Sequence, residues 1–214
     1  MDIVVKLARE AGYSNNEIAD KISIVFNRHG HTIRFPKYLD NEDLAYLAGV
    51  ILGDGSFAET KDKTIIRICG DDPQIIHECT RILKEQFDIV PEYSDDGERV
   101  PEIRFCSVSL GRILKAFGLN NEKKDNTLSH LATEMPNNIL RQTLQGLFDT
   151  DGYASKNKSG SVNVGISSVS PQLAETIHLA LLKFGIVAKK RFRKKAGKTA
   201  IGKKITVTSR LDAH

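Results

Sequence analysis

One pattern occurs twice in this chain. LAYLAGVILGDGSF occupies residues 44–57 and LRQTLQGLFDTDGYA residues 140–154, so Asp54 and Asp151 stand 97 residues apart. The agreement continues downstream. Each aspartate is followed by an alternating stretch, TIIRIC at 64–69 and SVNVGI at 161–166. Pro-Gln follows at 73–74 and 171–172, and a helical pattern then closes on Phe-Asp-Ile-Val at 87–90 or Phe-Gly-Ile-Val at 184–187. The aspartate-to-proline distances are 19 and 20 residues, and the proline-to-phenylalanine distances are 14 and 13. Unrelated segments would rarely agree at so many points. An internal repeat of this kind makes each copy one structural unit that packs against the other.

Each copy reads as helix, two strands, helix, two strands. In the first copy the second helix is expected over 73–86. Proline suits its first turn, and Ile75, Ile76, Cys79, Ile82 and Leu83 recur at helical spacing. Strands are expected near 92–93 and 102–106, joined by the turn-like Ser94-Asp95-Asp96-Gly97. A closing helix over 110–117 would end at Gly118. In the second copy the helix is expected over 171–184, ending at Gly185, with strands near 188–192 and 205–208. Domain boundaries follow: an extension at 1–38, a first half at 39–135 and a second half at 136–214. The extension reads as helical. Ser14-Asn15-Asn16-Glu17 forms a capping box, and GYSNNEIADKI has the cadence of a helix-turn-helix, which leaves open a DNA-reading role or simple packing on the main body. His29-Gly30-His31 reads as a turn rather than a metal site.

The motif helices carry small residues four apart, Gly49 and Gly53 in one, Gly146 and Thr150 in the other. This spacing lets two backbones approach closely. Two such helices side by side, related by a pseudo-twofold axis, would bring Asp54 and Asp151 together, each before a helix-ending glycine, Gly55 or Gly152. Paired carboxylates are costly unless a positive charge joins them. Mg²⁺ (or another hard divalent cation such as Mn²⁺) takes one or two carboxylates and leaves other positions to water and phosphate oxygens. Such a metal serves phosphodiester hydrolysis, and a twofold pair of acids suits two cuts, one per DNA strand.

On these residues the chain resembles the double-motif LAGLIDADG homing endonucleases, over about residues 40–208. The resemblance implies an α+β fold of two αββαββ(α) half-domains with saddle-shaped antiparallel sheets lying along the DNA major groove, which admits a β-ribbon. It implies that Asp54 and Asp151 bind the metal beside the carbonyls of Gly53 and Thr150. Groove-facing candidates in the strands are Arg67, Arg104, Asn163, Ser167, Arg191, Arg193 and Lys204. The family also uses lysines near its active site, and Lys123 and Lys124, in the segment before the second motif, are the candidates here. Leu52 stands in the place of the motif's first, non-catalytic aspartate. The second copy ends at His214 without an equivalent of the closing helix at 110–117. No intein splicing elements are present, and the resemblance fits an endonuclease domain from an intein as well as an intron-encoded or freestanding enzyme.

Charge supports a polyanion partner. Net charge is only +4. Yet residues 153–214 hold 13 Lys and Arg against two acids, Glu175 and Asp212, while the first 152 hold 18 against 25. Such a basic face suits nucleic acid. The three cysteines, Cys69, Cys79 and Cys106, form no CxxC pair and read as small apolar residues of a reducing compartment. No apolar run reaches the length of a membrane span and the N-terminus lacks a signal pattern, so an intracellular monomer acting on double-stranded DNA is expected. Two alternatives remain at the level of sequence: a non-cleaving DNA-binding regulator, and an RNA maturase, since a basic surface suits both polymers.

Overall fold

The computed structural model describes residues 10–12, 17, 24–25, 33–34, 41–60, 63–116, 118–119, 135–156, 160–194 and 203–211. Two short strands, β1 (Ile24–Val25) and β2 (Ile33–Arg34), pair antiparallel in the extension. The extension is therefore not helical throughout: Ile24 and Val25 are β-branched and take a ladder instead. The capping box, apart from the helical Glu17, and His29-Gly30-His31 lie outside the described residues.

Helix α1 (Glu42–Asp54) opens at Asn41, whose side chain accepts a 3.1 Å hydrogen bond from the Leu44 amide. It is followed by β3 (Gly55–Glu59), β4 (Thr64–Cys69), α2 (Pro73–Phe87), β5 (Glu92–Ser94), β6 (Glu102–Cys106) and α3 (Val108–Ala116). The second half runs α4 (Asn137–Asp151), β7 (Gly152–Lys156), β8 (Val162–Ser168), α5 (Pro171–Lys183), β9 (Lys189–Lys194) and β10 (Lys203–Leu211). The two four-stranded antiparallel sheets have equivalent orders, β3-β4-β6-β5 and β7-β8-β10-β9. The fold is α+β, as expected.

Each sheet buries one face. In β4, Thr64, Ile66 and Ile68 are buried while Arg67 is exposed, the alternation that period-2 geometry demands of a half-covered sheet. The buried face meets the helices in one continuous core, which runs from α1 through Phe57, Ile66, Ile68, Ile103 and Phe105 to α4 and on to Ile166, Ile177 and Val207. Helix α3 covers the first sheet near Phe57 and Thr64, where a Cβ on Gly111 would come within 2.5 Å of Thr64 Cγ2. The corresponding part of the second sheet is more open: Ala154 is exposed and Val162 and Val164 are half-buried. Among the described residues no helix is long and apolar enough to cross a membrane.

Candidate nucleic-acid and metal site

Helices α1 and α4 make the most extensive contact between elements of the described structure. They run parallel. Near their N-termini, Asn138 Nδ2 donates to Glu42 Oε1 at 3.0 Å. Midway, a Cβ on Gly49 would lie 2.1 Å from the Thr143 carbonyl oxygen, and one on Gly146 only 2.3 Å from that of Tyr46. At the C-terminal end, a Cβ on Gly53 would meet Thr150 Oγ1 at 2.0 Å and Asp151 Oδ2 at 3.6 Å. The small-residue stripe read from the sequence is thus a backbone-to-backbone contact at Gly49 and Gly146 and a contact with the Thr150 side chain at Gly53. It sets the Asp151 carboxylate beside the residue that precedes Asp54.

Both aspartates are the last residues of their helices and both are half-buried. The chain then turns straight into the first strand of each sheet. Gly55 and Gly152 stand at the helix ends, as expected. Gly55 (φ −78°) and Gly152 (φ −76°) do not end their helices in the left-handed conformation; they are extended. Their need for glycine is a matter of space, because a Cβ would approach the Ile51 carbonyl oxygen to 2.4 Å and that of Phe148 to 2.2 Å. The left-handed glycine cap does occur at Gly118 (φ 93°) and Gly185 (φ 76°).

The electrostatics of this end favour a cation. The C-terminus of a helix carries about half a negative charge, and two such ends lie side by side. Each adds an aspartate, and neither helix has a basic residue in its last turn. The last carbonyls of a helix lack intrahelical N–H partners, which makes backbone oxygen available near each carboxylate. Thr150 Oγ1 lies 3.1 Å from both the Gly146 and Leu147 carbonyl oxygens, so its hydroxyl proton is spent within its own helix. Among the described residues no cluster of three or more His, Cys, Asp or Glu side chains could hold a metal. Two carboxylates plus backbone oxygen are what this end could offer a metal, a set that would suit a hard cation keeping water or phosphate among its ligands.

A second polar link joins the motif helices, one that no motif or spacing signals. Tyr46 Oη donates to Asp149 Oδ2 at 3.1 Å. Burial of the phenol, with the Asp149 charge beside it, pushes Tyr46 well above the ordinary tyrosine range, so it stays a donor at all physiological pH. Asp149 is therefore occupied across the helix interface.

The other predicted positions divide clearly. Arg67 and Arg104 are direct cross-strand partners on the sheet face turned away from the helices. Asn163 and Ser167 are half-buried on β8, and Ser167 Oγ lies 3.4 Å from Thr206 Oγ1. Arg191 is exposed on β9, opposite Thr206. Arg193 and Lys204 pair in backbone register, and their side chains lie outside the described set. Lys123 and Lys124 also lie outside the described residues.

Residues 138–213 match the family model for a LAGLIDADG-like domain. Among curated proteins, elongation factor 2 of Methanopyrus kandleri is 26% identical over 188 residues, covering 87% of this chain and 14% of that protein. The replication factor C small subunit of Methanocaldococcus jannaschii is 27% identical over 183 residues, covering 83% of this chain and 9% of that protein. RecA of Mycobacterium tuberculosis is 44% identical over 48 residues, 22% of this chain and 6% of RecA. The chain thus spans only a small fraction of the curated relatives it matches. Among solved structures, I-DmoI in complex with DNA and Mn superposes with a TM-score of 0.54 at 15% identity, covering 80% of this chain and 91% of that one. The homing endonuclease I-WcaI bound to its DNA recognition sequence gives 0.55 at 17% identity, covering 78% and 75%. The N-terminal LAGLIDADG domain of DUF199/WhiA gives 0.54 at 14% identity, covering 92% and 84%. Residues 138–213 are thus similar to a LAGLIDADG-like domain, and the chain shares the fold of the LAGLIDADG homing endonucleases.

Proposed function

We propose that this chain is a site-specific double-strand DNA endonuclease, built from half-domains at 39–135 and 136–214, that hydrolyses phosphodiester bonds with Mg²⁺ or Mn²⁺ held by Asp54 and Asp151. The observation that carries this reading is the pair of side-by-side helix ends, each closed by an aspartate and neither offering a basic residue in its last turn. A binder gains nothing from acids clustered against phosphates. A metal there would supply charge stabilisation and an activated water. The carbonyls of Gly53 and Thr150 complete its protein ligands in this reading. The chain's own share of the work is positioning. The close helix contact fixes the separation of the two acids, and the outer sheet faces, with Arg67, Arg104, Asn163, Ser167, Arg191, Arg193 and Lys204, hold the duplex. Lys123 and Lys124 remain the proposed assisting lysines, and the cell interior the proposed place of action.

The homing character has separate support. The relatives carry unrelated descriptions, an elongation factor and a replication factor subunit, yet each contains a stretch of about this chain's length. A segment recurring inside proteins of unlike function fits a mobile insert carried within the host protein, as an intein is. A second reading, a DNA-binding regulator that does not cut, is favoured by the more open second sheet, where Ala154 is exposed and Val162 and Val164 are half-buried.

The experiment that tests the proposal incubates the chain with Mg²⁺ and a library of long duplexes, beside the Asp54→Ala plus Asp151→Ala variant. Cleavage present in the first and lost in the second is expected. Tight, selective binding with no cleavage in either would sink the nuclease in favour of the regulator.

A further inference from the structure

The two sheets are alike in strand order and unlike in the chemistry they expose beside the aspartates. The row of cross-strand partners two residues past Asp54 is Ser56, Arg67, Arg104 and Glu92. The row two residues past Asp151 is Tyr153, Gly165, Thr208 and Lys189. Both rows lie on the face turned away from the helices, since their strand neighbours Ile66, Ile68, Ile166 and Val207 are buried.

In the first row two guanidinium side chains stand directly opposite one another. Like charges so placed destabilise a free sheet. Among the described residues neither Arg67 nor Arg104 makes an ion pair. In the second row a Cβ on Gly165 would lie 2.7 Å from Tyr153 Oη and 2.8 Å from Thr208 Cγ2. The tyrosine ring therefore lies across the strand in the space that glycine leaves, with the threonine methyl bordering the same space, and Tyr153 stays 41% exposed. One half presents paired planar cations; the other presents an aromatic and methyl surface.

Resting on the DNA reading above, we propose that these rows read different bases at symmetry-related positions flanking the cut: Arg67 with Arg104 a guanine, and Tyr153 with the Thr208 methyl a thymine. A guanidinium matches the two major-groove acceptors of guanine, O6 and N7, whereas thymine is distinguished there by its methyl group, which apolar side chains contact. The ring is held in place before DNA arrives, so Tyr153 gives up little side-chain freedom on binding. The target is accordingly asymmetric next to its centre.

The test selects bound duplexes from a randomised pool with the full chain in EDTA, so that nothing is cut, and compares base profiles with those of Arg67→Ser, Tyr153→Ser and Tyr153→Phe. The unmodified chain is expected to prefer guanine on one side of the centre and thymine at the symmetric position on the other. Arg67→Ser should reduce the guanine preference about tenfold, Tyr153→Ser should erase the thymine preference, and Tyr153→Phe, which keeps the ring, should retain it. Equal bases at the two positions, or profiles unchanged in both serine variants, would overturn the inference while leaving DNA binding intact. An unmodified chain that binds no duplex would overturn the DNA reading and this inference with it. Selective binding without cleavage in Mg²⁺ would overturn the nuclease alone.

Discussion

An alanine at Gly146 would bring its methyl within 2.3 Å of the Tyr46 carbonyl oxygen and 2.8 Å of the Val50 amide nitrogen. Both neighbours are backbone and cannot rotate away, so the helices must separate. Gly146→Ala is expected to lower stability by about 1–3 kcal/mol, the usual cost of overpacking, as read by urea unfolding. It should also reduce cleavage more than DNA binding, because parting the helices parts the aspartates. Tyr46→Phe removes one hydrogen bond across the same interface and leaves the exposed Asp149 to water; a loss of about 1 kcal/mol is expected. The cysteines give a chemical check on burial. Burial pushes the Cys79 thiol up to about 12, so a thiol reagent at neutral pH should label the exposed Cys106 quickly and Cys79 only after unfolding. At this scale the sequence was legible where a residue's reason is local. The small residues at 49, 53, 146 and 150 were readable as a close-packing stripe. The Tyr46–Asp149 bond was not, because it joins residues 103 apart in the chain.

Helix α2 is tied to the start of α1 by a charged network. Arg81 bonds Glu78, Glu85 and Asp43 at 2.6, 2.6 and 2.9 Å, and Gln86 links to both Asn41 and Asp43. The hydrogen bond from Arg81 holds Glu78 below the ordinary glutamate value of 4.5. A lowered carboxylate contributes stability that is present above that ordinary value and lost as pH falls through the lowered one. Arg81→Met should therefore cost about 1 kcal/mol at neutral pH, a figure kept small because these side chains are partly exposed. The difference from the unmodified chain should shrink as pH drops below 4.5, measured by denaturant midpoints across pH. Elements were legible where a period ran long enough. The strand at 64–69 and the helices opening at Pro73 and Pro171 stand where expected. The strands β3 and β7 were harder to bound, since Gly-Ser-Phe-Ala-Glu and Gly-Tyr-Ala-Ser-Lys carry little alternation and owe their form to pairing with β4 and β8. The two-residue strands of the extension leave almost no periodic signal at all.

Across the whole molecule the repeat became two sheets of the same order hung on one helix pair, with the acids at the pair's end and basic residues concentrated in the second half. That separation of charge predicts strongly salt-dependent DNA affinity. Neutralising phosphates releases counterions, so the dissociation constant should rise steeply with ionic strength, and Arg191→Ala should flatten the slope by about one phosphate contact. The duplication made this architecture legible from sequence. The unequal faces of the two sheets were not legible, because which side chains share a row depends on register, and register is set by pairing over distances the sequence does not display. The most direct test of the central claim is a single-turnover cleavage rate on an end-labelled selected duplex in Mg²⁺, for the unmodified chain and for Asp54→Asn and Asp151→Asn. Cleavage by the unmodified chain is expected and, in each variant, a rate lowered about a hundredfold with DNA affinity kept. Cutting by both variants at the unmodified rate would contradict that claim.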